Sequence, residues 1–197
     1  MGLATFIGGI HPYEGKELSE DKPIKVLEPL QGEIMVYPLS QHIGAPAKPL
    51  VAKGDHVLKG QIIAEAGGFI SANVLSSVSG TVKGIESKLV ANGAMVQSIL
   101  VENDGEEEAI EGFGTDRDAT KLSKEEIRKI VKDAGIVGLG GAGFPTHVKL
   151  TPKDENAIDY VIVNGAECEP YLTSDYRTMM ERPEQIIGGL KVMLQLF

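Results

Sequence analysis

Short apolar runs separated by turn residues fill the chain from about Glu33 to Asn103. They are Glu33-Ile-Met-Val-Tyr37, Gln61-Ile-Ile-Ala-Glu65, Gly80-Thr-Val-Lys83 and Gln97-Ser-Ile-Leu-Val-Glu102. Each is of strand length, rich in β-branched residues and bounded by Gly, Asp, Asn or Ser, which predicts an all-β module. Residues 104–122 contain Asp104-Gly-Glu-Glu-Glu108 and few large apolar side chains, and read as an acidic, solvated linker. From Ser123 the period lengthens. Ser123-Lys-Glu-Glu126 has the spacing of a capping box, and Ile127, Ile130 and Val131 then share one helical face as far as Gly135. A glycine-rich loop follows, then an expected strand over Tyr160–Val163, then a helical tail from about Ser174 that Pro183 divides.

Composition narrows the function classes. With 197 residues the chain has room for one or two small domains with a real core. At 42% hydrophobic residues its apolar runs are too short to span a bilayer, and Met1-Gly-Leu-Ala-Thr-Phe6 lacks the layout of a secretory signal. A net charge of −9 without a Lys/Arg run argues against nucleic acid and against docking on anionic lipid. One cysteine, Cys168, allows no internal disulfide and no thiolate cluster within the chain.

The β module has a signature of its own. Val51-Ala-Lys-Gly-Asp-His-Val57 with Gly60-Gln-Ile-Ile63 resembles the first half of a biotinyl/lipoyl-type domain, and Ser76-Ser-Val-Ser-Gly-Thr-Val82 the start of the second. The expected form is a flattened barrel sandwich with turns at Gly54-Asp55 and Ser79-Gly80. A carrier domain of that type bears a lysine on the hairpin between its halves. Here that hairpin is Glu65-Ala-Gly-Gly-Phe-Ile-Ser-Ala-Asn-Val-Leu75, and no lysine occurs between Lys59 and Lys83. The module is expected to be architectural.

Candidate chemistry lies in the second module. Gly138-Leu-Gly-Gly-Ala-Gly-Phe-Pro-Thr-His-Val-Lys149 sets four glycines within six residues, with a lysine soon after. Such a loop can aim backbone N–H groups at an anion; a plain tight turn fits the same residues. The Gly-Lys-Ser/Thr ending of a Walker loop is missing, and the dinucleotide pattern G-x-G-x-x-G is met only loosely. Asn164-Gly-Ala-Glu-Cys-Glu-Pro170 adds an amide and two carboxylates after the expected strand, where α/β sheets bind ligands.

Together these motifs resemble the flavin-binding domain of the complex I subunit that accepts electrons from NADH. Ile7-Gly-Gly-Ile-His-Pro12 and Pro38-Leu-Ser-Gln-His-Ile-Gly-Ala-Pro-Ala47, ahead of the sandwich segment, narrow the resemblance to the RnfC family. It implies an α+β two-domain fold. Residues 1–103 would form an N-terminal segment and barrel-sandwich hybrid domain, 104–122 the linker, and 123–197 the start of an α/β Rossmann-like FMN-binding domain. It further implies the RnfC component of a Na⁺- or H⁺-translocating ferredoxin:NAD⁺ oxidoreductase (Rnf) complex, exchanging electrons between NADH and FMN. From FMN they would pass to two [4Fe-4S] clusters whose cysteines lie beyond Phe197, making this chain an N-terminal part that is inactive alone. The partners implied are the other Rnf subunits, with the protein peripheral on the cytoplasmic face of the membrane.

By the same resemblance Gly138, Gly140, Gly141 and Gly143 wrap the FMN phosphate and ribityl chain. Lys149 adds a positive charge, and Asn164 and Glu167 sit near the flavin. Phe144 stacks on the NADH adenine and Glu169 lies near the dinucleotide. Three positions depart from the complex I pattern: Leu139 replaces an arginine, Ala166 an aspartate, and Pro152 a second stacking aromatic. His11, His42, His56 and His147 lack ligand spacing, so no metal site is expected. The neighbours Glu167 and Glu169 disfavour a thiolate at Cys168. A cobalamin-reductase-type flavoprotein and a non-catalytic assembly module are the alternative readings.

Overall fold

The computed structural model describes residue 10 and residues 12–197; Ile7–Gly9 and His11 of the N-terminal signature lie outside the described residues. The chain divides into two compact units. One joins the residues up to Leu27 with Tyr160–Leu194, and the other joins Glu28–Asp159 with Gln195–Phe197.

The larger unit holds every strand among the described residues: β1 (Ile34–Pro38), β2 (Lys48–Pro49), β3 (His56–Val57), β4 (Ile62–Glu65), β5 (Val74–Leu75), β6 (Gly80–Leu89) and β7 (Met95–Asn103). A four-stranded sheet runs β1-β7-β6-β3 and a three-stranded sheet runs β2-β4-β5, with all pairs antiparallel. Alternating side chains of the two sheets make one core. Tyr37, Val57, Val82, Ile99 and Val101 come from the first sheet, and Ile63, Ala64 and Val74 from the second. Fully burying each large side chain is worth about 1.5–3 kcal/mol, so this cluster is the main stabilising term of the unit. The four strands expected between Glu33 and Asn103 all appear, with β6 extended to Leu89 and bulged at Lys83, where its pairing with β7 steps from Val82 to Gly84. One expected turn moves. The bend falls at Ser77-Val78, and Gly80 already pairs with Asn103, because Ser76 Oγ and Ser79 Oγ secure the corner by bonds to Val78 O and Asp104 Oδ1.

The hairpin that bears the lysine in carrier domains is tied down here. Ser71 is fully buried; its Oγ accepts from Gly67 N at 2.9 Å and donates to Ala45 O at 2.8 Å. The acidic stretch also departs from a free linker over its first residues. Lys59 N donates to Glu108 O, Ile110 N donates to Lys59 O, and the Lys59 ammonium meets Glu107 at 3.0 Å. Backbone pairing along β3–β4, which charge patterning does not reveal, holds it. Beyond it α1 (Lys124–Asp133) begins with the full capping box of Ser123 and Glu126 and buries Ile127. Three short stretches complete the unit's regular structure: a 3₁₀ turn at Ala119–Lys121, α2 (Thr146–Lys149) and a 3₁₀ turn at Glu155–Ala157.

The smaller unit contains a 3₁₀ turn at Lys16–Leu18, α3 (Ser174–Glu181) and α4 (Pro183–Leu194), split at the proline as expected. The strand expected over Tyr160–Val163 is absent. No second strand lies among this unit's described residues to complete a ladder, and Tyr160 and Ile162 are more than four-fifths exposed. A strand exists only as a pairing partner, whatever its own propensity.

Asp104 joins the sandwich at the end of β7. It accepts from Ser79 Oγ at 2.6 Å, from Glu106 N at 2.9 Å, and meets His56 Nε2 at 3.0 Å. Chiefly the Ser79 bond holds its carboxyl below the ordinary aspartate value. A depressed folded-state pKa gives stability that is present above the unfolded value and lost as pH falls through the folded one. The melting temperature of wild type should therefore exceed that of Asp104→Asn at neutral pH, with the gap closing below the ordinary aspartate range. A gap that stays constant into strong acid would exclude the linkage.

Candidate functional site

The glycine-rich loop is closed at its base by backbone bonds. Val137 and Pro145 form an antiparallel bridge, Gly138 N donates to Phe144 O at 2.9 Å, and Thr146 N donates to Ile136 O at 2.9 Å. Its far side is docked on the segment Gln41–Ile43 of the sandwich unit, where Ile43 N donates to Ala142 O at 3.0 Å. Gly143 has φ +64°, and a Cβ there would stand 2.8 Å from Gln41 O and 2.9 Å from His42 Cα. Only glycine satisfies both conditions.

The other three glycines differ. Gly140 and Gly141 have no atom within 4 Å of where a Cβ would be, and Gly138 has only Phe144 backbone atoms at 3.8 and 3.9 Å; none has positive φ. Nothing inside the protein requires glycine at these positions. Gly138 and Gly141 border a cleft of about 680 Å³ whose other walls are Pro38, Ser40–Ile43 and the β6–β7 turn Val90–Asn92. A bare backbone facing a cleft is what close approach of a ligand's phosphate or chain requires. Leu139, which stands where the complex I pattern has arginine, is 93% exposed on the same wall.

Phe144 and Lys149 lie in the same unit but not on the walls of this cleft. Phe144 is 39% exposed, and Lys149 is exposed at the last residue of α2. On the same short helix, burial and then the charge of Lys132 hold the His147 imidazole below its ordinary value.

Asn164, Glu167 and Glu169 belong to the smaller unit. Asn164 Oδ1 accepts from Ala166 N at 3.0 Å, an Asx turn. Glu167 Oε1 accepts from Asp175 N at 2.8 Å in the first turn of α3, placing a carboxylate at the positive end of the helix. Its second oxygen is buried without a partner among the described residues. Burial first, then the charges of Glu167 and Glu169, raise the Asp175 carboxyl above its ordinary value. The backbone of Glu169–Thr173 is gripped by residues outside either motif. The Lys16 ammonium donates to Glu169 O at 2.8 Å and Leu172 O at 2.7 Å, while Ser19 Oγ donates to Tyr171 O at 2.6 Å. Gly15, at φ +59°, is the only local signal of this clamp. Cys168 is exposed, with its Sγ 3.9 Å from Ala166 O. Among the described residues no group of His, Cys, Asp and Glu has the geometry to hold a metal ion.

The contrast among the glycines is measurable. Gly143→Ala should lower unfolding free energy by about 1–2 kcal/mol or more from the left-handed backbone and the contact with Gln41 O. Gly140→Ala should leave the urea midpoint unchanged. Equal losses in both would show that the loop is not docked as described.

Comparison with known proteins adds the following. Residues 4–106 match a family model described as the RnfC barrel sandwich hybrid domain, and residues 131–197 match the Nuo51 FMN-binding domain. The chain is 44% identical to the C subunit of the proton-translocating ferredoxin:NAD(+) oxidoreductase complex of Clostridium ljungdahlii, over 98% of this chain and 42% of that protein. It is 44% identical to the C subunit of the Na(+)-translocating ferredoxin:NAD(+) oxidoreductase complex of Acetobacterium woodii, over 97% and 43%. The C subunit of a Rhodobacter capsulatus ion-translocating oxidoreductase complex is 43% identical over 94% and 36%. The chain thus spans less than half the length of these relatives.

Proposed function

The chain belongs to the RnfC family, and from that premise we propose that it forms the FMN- and NADH-handling part of the RnfC component of an ion-translocating ferredoxin:NAD⁺ oxidoreductase. The observation that carries the proposal is the pair of glycines Gly138 and Gly141 on the wall of a cleft, where a Cβ would meet no protein atom closer than 3.8 Å. A Cβ on this wall would occupy the room a cofactor chain needs, so the residues present suit FMN. When bound, FMN supplies the capacity to take a hydride from nicotinamide and release electrons singly toward iron–sulfur centres.

In this reading the chain's own residues bind and orient. Loop N–H groups would meet the phosphate, and Lys149, which lies off the cleft wall at the end of α2, would reach the cofactor for a charge-assisted contact. Asn164 and Glu167 are assigned to the flavin side, with Phe144 and Glu169 on the side of the dinucleotide. The grip of Lys16 on Glu169 O fixes the backbone from which that carboxylate projects. The iron–sulfur clusters, the ion moved and the contacts with other Rnf subunits are assigned to the full-length protein. No helix among the described residues is long and apolar enough to cross a membrane, which suits attachment to integral subunits at the cytoplasmic face.

The tests use the full-length protein. Gly141→Ala should retain the fold yet lose FMN, because the added methyl meets ligand and not protein. Wild-type flavin content in a folded Gly141→Ala protein would sink the assignment of this cleft. Lys149→Ala should lower FMN affinity about tenfold or more, as expected for loss of a hydrogen bond to a charged group worth about 1.5–3 kcal/mol. Glu169→Gln should stay yellow but oxidise NADH slowly, as read by an NADH–ferricyanide assay beside flavin fluorescence. If both variants keep full flavin and full NADH oxidation, these two residue roles are wrong.

A further inference from the structure

Behind the glycine-rich loop sits a histidine whose hydrogen bonds fix its protonation pattern. His42 is 7% exposed. Ala72 N approaches its Nε2 at 3.2 Å, and a backbone amide can only donate, so Nε2 is a bare acceptor. The ring proton then resides on Nδ1, where the available partner is Ile43 O at 3.1 Å. Ile43 is in this way held at both backbone groups: its carbonyl by His42, and its N–H on Ala142 O of the loop. The His42 Cα and the Gln41 carbonyl also form the wall that Gly143 packs against.

A buried histidine satisfied by two backbone groups could be no more than core filling. Its position argues for more. His42 lines the 680 Å³ cleft on one side and a second cavity of about 300 Å³ on the other, so it is a partition and not part of the apolar core. Through Ala72 it also reaches the hairpin pinned by Ser71. We infer that His42, as the neutral Nδ1–H tautomer, is a positioning residue that holds the Gly138–Gly143 loop in its ligand-accepting shape by bridging Ala72 N–H and Ile43 C=O. The inference rests on the reading of this cleft as the FMN site, because the loop shape is given its value there. Protonation of both nitrogens would set an N–H against the Ala72 N–H, so the imidazolium cannot do the same work.

Three measurements on the full-length protein decide the matter. The imidazole nitrogen spectrum of wild type should show His42 protonated on Nδ1 and bare on Nε2; the opposite tautomer overturns the inference. FMN titration followed by fluorescence should give about tenfold weaker binding for His42→Ala, as expected for losing both bridging bonds. His42→Gln, which keeps a carbonyl for Ala72 N and an amide donor for Ile43 O, should stay within about threefold of wild type. Amide hydrogen exchange over residues 138–143 should quicken in His42→Ala and not in His42→Gln. Unchanged FMN affinity and unchanged exchange in His42→Ala overturn the inference, as does loss of FMN in a folded His42→Gln protein. Should His42→Ala fail to fold, the glutamine variant and the nitrogen spectrum decide alone. A wild-type protein that takes no FMN would sink the cofactor reading, while the exchange rates still judge the anchoring by themselves.

Discussion

The close backbone approach between Gln41–Ile43 and Ala142–Gly143 is the constraint on which the rest of the larger unit depends. About a hundred residues separate the two segments in sequence, yet a single methyl group at position 143 would force them apart. Everything that makes the cleft follows from that approach. The loop is closed at its base by the Val137–Pro145 bridge, but its outer side has the sandwich for a floor. The sandwich core fixes Tyr37 and Leu39, and through them the start of the segment on which the loop is docked. Stability built by apolar burial in one place thereby sustains geometry in another.

This arrangement changes the meaning of the β module. In carrier domains of the lipoyl type the corresponding hairpin presents a lysine to be modified and moved. Here the hairpin is bonded through Ser71 to Ala45, and the same face reaches His42. The element that offers mobility in a carrier is bonded here to the segment on which the glycine-rich loop is docked. Membership of the RnfC family and the match of the following stretch to an FMN-binding domain fit that division of labour.

Much of this is legible in the sequence wherever the cause is local. The capping box of Ser123 and Glu126 depends on residues three apart and is read directly. The longer strands β1, β4, β6 and β7 announce themselves by β-branched runs between turn residues. Strands β2, β3 and β5 have two residues each, too few for any period to show. Tyr160–Val163 has the same local features as the longer strands and is not one, because pairing depends on a neighbour that its own residues do not encode. Grouping by contact is likewise invisible to motifs. The glycine-rich loop falls in the larger unit and Asn164–Pro170 in the smaller, although sequence order makes them parts of one module. Beyond the Gly15 turn before it, Lys16 carries no local signal, since its carbonyl partners lie 153 and 156 residues away.

The bare segment at Tyr160–Val163 has a practical side. Its backbone takes part in no strand ladder among the described residues, and Tyr160 and Ile162 present apolar surface to water. Backbone that pairs with nothing, beside exposed apolar side chains, has the same groups free that a sheet edge presents to another chain. Handled by itself at high concentration, the polypeptide therefore has a site at which copies can associate, independent of how well its core is packed.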